Sequence, residues 1–91
     1  MLDNVRSVMV MFAARWSGTC HIMTPVFTDI AVTFSDKVVF GQLDVDLNPQ
    51  TAARFSIAVL PTLLFFKNGS VVERINGVIS KTELTNKLKR L

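Results

Sequence analysis

Ser17 and Cys20 stand three residues apart in the run Trp16-Ser17-Gly18-Thr19-Cys20, after an apolar stretch and before a segment with helical spacing. A thiol at a helix N-terminus feels the positive end of the dipole and the unpaired N–H groups there, and both lower its pKa. Two cysteines at this spacing can attack a disulfide and then close on each other. Here the first position is serine, a good N-cap that cannot form a disulfide. Cys20 falls one turn inside the helix, where burial keeps a thiol protonated and slow. It is the only cysteine in the chain, so the sequence offers neither an internal disulfide nor a cysteine framework for a metal.

Neighbouring polar residues add little chemistry. His21 follows Cys20 directly, and adjacent helical side chains point about 100° apart, which disfavours an intimate thiol–imidazole pair. His21 therefore reads as a surface residue near the site. Asp44-Val45-Asp46-Leu47-Asn48 resembles the start of a calcium loop, but Pro49 stands where such a loop needs glycine and Phe55 where it needs glutamate. The segment reads as a strand end with a solvated aspartate, followed by a helix cap. For Leu60-Pro61-Thr62, a proline opening a strand and a cis peptide in a tight turn are both open.

These residues need a scaffold, and the hydropathy pattern supplies one. Val8 to Phe12 is a continuous apolar run suited to a strand buried on both faces. Met23, Phe27, Ile30, Ala31 and Phe34 give helical spacing from Thr19 to about Phe34, with Pro25 expected to kink the helix. Val38 to Val45 reads as a second strand. Asn48-Pro49 looks like an N-cap and first turn of a short helix reaching about Ala53. Thr62 to Phe66 and Val71 to Ile75 are strands joined by Asn68-Gly69, a hairpin signal. Gly77 ends the second of them. Ser80 to Glu83 has the form of a capping box, and Leu84, Leu88 and Leu91 continue an apolar stripe. The order is strand–helix–strand–helix–strand–strand–helix. Its first two connections read as crossovers, so a parallel pair is expected among the first three strands, followed by an antiparallel hairpin. An α/β sheet with helices on both faces is the expected assembly.

With 91 residues and an apolar fraction of 49%, the chain is expected to form one domain, residues 1–91. The net charge of +3 comes largely from Lys81, Lys87, Lys89 and Arg90, cations suited to the C-terminal part of a final helix. No aromatics interleave with them, which argues against nucleic acid as a partner. No apolar run approaches the roughly 20 residues that span a bilayer. The N-terminus lacks a signal-peptide pattern, so a soluble, cytoplasmic protein is expected.

Read together, the motifs resemble thioredoxin over nearly the whole chain, from about Val8 onward. Phe12 to Cys20 is similar to that family's strand–Trp–C-G-P-C signature. Pro25 matches its helix proline. Gln42 to Ile57 resembles its next strand and short helix, and Val59 to Ser80 its cis-proline strand, hairpin and terminal glycine. The resemblance implies a thioredoxin-like fold, with a mixed central sheet and helices on both faces. It implies dithiol–disulfide exchange on protein disulfide substrates, recharged by a thioredoxin reductase, with no cofactor. Carried over by position, Ser17 holds the attacking (nucleophile) position and Cys20 is the resolving thiol. Trp16 shields the site, Gly18 and Thr19 form the turn, Thr19 standing where proline is usual. Pro61 is the cis-proline and Leu60 offers backbone contacts to substrate.

Besides Thr19, the chain departs from the pattern in four places. Ser17 replaces the attacking cysteine, a one-atom change that an experimenter would choose to stop oxidation and that drift could also leave. The intact surroundings at Trp16, Gly18, Cys20, Leu60 and Pro61 favour an edited or active parent. The serine leaves the chain unable to complete a two-electron cycle. Met11 and Gln42 replace a buried aspartate and a nearby lysine that assist proton transfer. Losing both is electrically consistent, because an unpaired buried charge is costly. The first strand and helix of the family are expected to be missing. The strand Val38–Val45 then becomes an open edge, and a homodimer through this edge is expected; a concentration-independent monomer mass by light scattering would sink it. Three functions compete: a disulfide oxidoreductase seen without its nucleophile, a redox-inactive protein-interaction domain, and monothiol chemistry at Cys20.

Overall fold

The computed structural model describes residues 7–91. Its elements are β1 (Ser7–Ala13), α1 (Gly18–Thr33), β2 (Val39–Asp44), α2 (Pro49–Arg54), β3 (Thr62–Lys67), β4 (Ser70–Asn76) and α3 (Lys81–Arg90). The sheet order is β2-β1-β3-β4. β1 and β2 pair in parallel, with Met11 opposite Gln42. β3 runs antiparallel to β1 and to β4. The expected parallel pair is therefore β1–β2. The second connection carries the chain past β1 and sets β3 in the opposite direction. The result is a mixed α/β sheet, as the resemblance implied.

The apolar periodicities predict which faces are buried. Met23, Phe27 and Ile30 of α1 and Leu84 and Leu88 of α3 are buried against Met9, Met11, Leu63, Phe65 and Ile75 of the sheet. Ala31 and Phe34 are only half-buried. On the other face, Phe55 at the end of α2 packs its ring against Phe12 and Phe66, with centroids 5.9 and 5.6 Å apart. Edge and tilted geometries of this kind suit the charge distribution of aromatic rings. Helices thus flank both faces, α1 and α3 on one and α2 on the other.

The caps set the element ends. Ser80 accepts from the Glu83 N–H at 3.1 Å, as a capping serine does. Asn48 occupies the N-cap of α2 without a side-chain cap bond. Its Nδ2 donates instead to the Asp44 carbonyl, 2.9 Å away. Asp44 is not a free surface charge either. Its Oδ1 accepts from the N–H groups of Asp46 and Leu47, at 2.8 and 3.3 Å, and closes the turn after β2. Leu91 lies beyond α3 and is partly exposed, so the apolar stripe ends at Leu88. β2 is an outer strand of the sheet among the described residues. The expectation of a missing first strand and helix lies outside the described residues. Among those described, no helix is long and apolar enough to cross a membrane.

Candidate functional site at the N-terminus of α1

β1 delivers the chain to the corner where α1 begins. The Ser17 N–H donates to the Ala14 carbonyl at 3.2 Å, closing a turn that aims Ser17 at the helix start. Ser17 is the N-cap, with extended backbone, and its Oγ accepts from the Cys20 N–H at 3.3 Å. Gly18 and Thr19 are the first residues of α1 itself rather than a separate turn. Both Ser17 and Cys20 are buried, at 6% and 3% exposure, whereas Trp16 is 71% exposed. Cys20 therefore sits behind position 17, shielded from solvent.

The cis Leu60–Pro61 peptide faces this corner. Thr19 links the two, because its hydroxyl donates to the Leu60 carbonyl at 2.8 Å. A carbonyl can only accept, and a hydroxyl has one hydrogen. The Ser17–Thr19 contact at 2.9 Å must then run from Ser17 to Thr19. The hydrogen bonds form one directed series: Cys20 N–H to Ser17 Oγ, Ser17 O–H to Thr19 Oγ1, Thr19 O–H to Leu60 O. Ser17 thus spends its proton on a neighbouring hydroxyl, and none of these hydrogen bonds joins it to a histidine or carboxylate base. This is the arrangement of a cap rather than of an activated serine nucleophile.

Several contacts could not be read from the sequence spacing. Trp16 Nε1 donates to Asp46 Oδ2 at 2.8 Å across 30 residues, so the second aspartate of the apparent calcium run orients the tryptophan. His21 Nε2 lies 2.7 Å from the Arg15 carbonyl, which holds the imidazole at the surface. Thr24 donates to the Cys20 carbonyl at 2.8 Å, an i to i−4 bond within α1 whose spacing alone could have suggested it. Pro61 is anchored by the Gly77 N–H, which reaches its carbonyl at 2.7 Å. Gly77 has a φ of 88°, a region where a side chain is strained. Thr62 is buried and donates to the Val59 carbonyl at 2.6 Å, which fixes the turn before β3.

Beside Cys20 a cavity of about 360 Å³ opens between the first turns of α1 and the ends of β1 and β2, lined also by Arg15, His21, Thr24, Gln42 and Asp44. Met11 is fully buried one strand residue before Phe12, so no carboxylate lies in β1 under the site. Among the described residues no group of three or more His, Cys, Asp or Glu side chains could hold a metal ion.

A thioredoxin family profile matches residues 1–90. Thioredoxin of Mycobacterium bovis is 39% identical over 88 residues, covering 97% of this chain and 76% of that protein. Thioredoxin of Alicyclobacillus acidocaldarius is 40% identical over 87 residues, covering 96% and 83%. A chain from a structural study of the thiol resolving mechanism in yeast mitochondrial 1-Cys peroxiredoxin via glutathione/thioredoxin systems superposes with a TM-score of 0.86 at 29% identity, covering 94% of this chain and 79% of that one. With a profile spanning almost every residue, relatives at this identity and a matching fold, the chain belongs to the thioredoxin family.

Proposed function

We propose that this chain is a thioredoxin-type protein-disulfide oxidoreductase scaffold whose attacking position is held by Ser17. As written, it engages disulfide-bearing proteins and cannot complete dithiol–disulfide exchange. The observation that carries this reading is the position of Ser17 Oγ. It caps α1 in hydrogen-bond contact with the Cys20 N–H, three residues from a shielded thiol and across from the cis Leu60–Pro61 peptide.

The chemistry follows from that position. A sulfur at residue 17 would sit at the positive end of α1 and accept the Cys20 N–H, both of which favour the thiolate. The thiolate attacks one sulfur of the partner's disulfide. That bond breaks, and the other partner sulfur departs as a thiol after taking up a proton. Cys20 then loses its proton and attacks the sulfur at position 17. The intramolecular disulfide closes and the second partner thiol leaves, so two electrons have passed to the partner. A reductase then supplies a fresh pair of electrons, which reopens the intramolecular disulfide. Trp16 covers the approach, and the Leu60 backbone beside Pro61 holds the partner in extended form. With Met11 in β1, no carboxylate of that strand takes the Cys20 proton. Ser17→Cys is expected to give insulin-disulfide reduction with dithiothreitol where the parent gives none above background. No gain in rate would count against the proposal.

A second reading has its own support. Ser17 is fully engaged in the hydrogen-bonded series, and Met11 and Gln42, neither of which titrates, stand where the family has its proton-handling pair. On that reading the chain is a redox-inactive interaction domain gripping an extended segment near Trp16, Leu60 and Pro61. Partners captured from a lysate that survive reductant support it; release of every partner by reductant sinks it. Monothiol chemistry at Cys20 finds less support, because the thiol is buried. Iodoacetamide labelling of Cys20 at neutral pH is expected to be slow.

A further inference from the structure

We propose that Thr19 is a latch on the partner-binding backbone: its hydroxyl occupies the Leu60 carbonyl, and an extended partner segment pairs there only by displacing it. The inference rests on the reading of Leu60 as a docking backbone. Three observations carry it. Thr19 Oγ1 donates to Leu60 O at 2.8 Å across 41 residues. Thr19 is itself held by the Ser17 hydroxyl at 2.9 Å, so its rotamer is fixed from behind. Leu60 and Pro61 lead directly into β3, and their backbone is pinned on either side by the Thr62–Val59 and Gly77–Pro61 bonds. The loop therefore cannot easily turn its carbonyl away from Thr19, and the side chain is the part that must yield. Strand-like recognition draws its affinity from main-chain hydrogen bonds, so one occupied acceptor weakens it.

Thr19 acts as a positioning residue with no part in bond exchange. Valine has nearly the same shape and no hydroxyl, whereas serine keeps the hydroxyl. The test uses the chain with Ser17 in place and follows the polarisation of a fluorescein-labelled insulin B chain whose cysteines are S-carboxymethylated, so that no thiol chemistry intervenes. Thr19→Val is expected to tighten the dissociation constant about fivefold, the effect of one net hydrogen bond. Thr19→Ser is expected to match the parent. A carbonyl oxygen has two lone pairs. If the second serves the partner freely, Thr19→Val leaves affinity unchanged, and this result overturns the latch. Tightening by Thr19→Ser equal to that by Thr19→Val would also overturn it, because the hydroxyl would then be irrelevant. Binding by none of the three overturns it together with Leu60 as a docking backbone. Failure of the oxidoreductase reading looks different: Ser17→Cys gives no insulin reduction, and the comparison at Thr19 stands unaffected.

Discussion

The layer between α1, α3 and the sheet is held differently from the corner where α1 begins. In the layer, Met9, Met11, Met23, Ile30, Leu63 and Leu84 have no solvent exposure and no polar partner to satisfy. In the corner, Trp16, Thr19 and His21 are exposed and are held by hydrogen bonds to Asp46, Leu60 and Arg15. The layer decides whether the molecule folds. The corner decides what a partner meets, and its bonds are individually weak enough to exchange. Substitutions in the two regions are therefore expected to separate into losses of stability and losses of geometry.

The largest expected effect tests whether the layer is dry. Met11→Asp places a carboxylate where the described packing offers no cation, at an estimated cost of about 4 kcal/mol near neutral pH. Burial raises the carboxyl's folded-state pKa above its unfolded value. The penalty is therefore smallest below the unfolded value of about 4 and grows as pH rises towards the folded one. Gln42, its partner residue in β2, gives the control. Adding Gln42→Lys is expected to recover part of the loss at neutral pH. Urea unfolding at two pH values measures both, and a pH-independent cost would show that water reaches Met11.

Leu84→Ala comes next, at about 3 kcal/mol, because a fully buried leucine leaves a cavity that fixed neighbours cannot fill. Ser17→Ala is smaller, at about 1 kcal/mol, for the loss of one N-cap. It carries a second consequence that Leu84→Ala lacks. Thr19 loses the donor behind it, so the Leu60 carbonyl is contacted by a freer side chain. Thermal unfolding of the two variants orders them. A cost of Ser17→Ala equal to that of Leu84→Ala would place the corner within the packed core.

The sequence revealed the layer far better than the corner. Periodicity identified Met23, Phe27, Ile30, Leu84 and Leu88 because burial on a helix repeats every three or four residues. Asn68-Gly69 and Ser80 marked a turn and a cap because their chemistry is local: both central turn residues do have positive φ, and Ser80 does cap α3. The Ser17–Cys20 spacing was legible for the same reason. The Thr19–Leu60 and Trp16–Asp46 bonds were not, since they join residues 41 and 30 apart and depend on how β3 and the turn after β2 meet α1. Asn48 is the N-cap that its type suggests, followed by Pro49 in the first turn, but its side chain donates to the Asp44 carbonyl and makes no cap bond.

The smallest effect sharpens the contrast most. Asp46→Ala removes the acceptor of the Trp16 indole, a bond 2.8 Å long at the surface. Water replaces the carboxylate at little cost, so the stability change is expected to stay below about 0.5 kcal/mol. Trp16 is the only tryptophan, so its fluorescence reports on this residue alone. Without Asp46 the ring gains rotamers, and lower steady-state anisotropy is expected at an unchanged melting temperature. A drop in melting temperature comparable to that of Ser17→Ala would mean that the bond supports the fold. Unchanged anisotropy would mean that packing, rather than Asp46, orients Trp16. Only the combination of a looser ring and an unaltered fold fits a corner whose polar bonds set presentation and leave stability to the layer behind it.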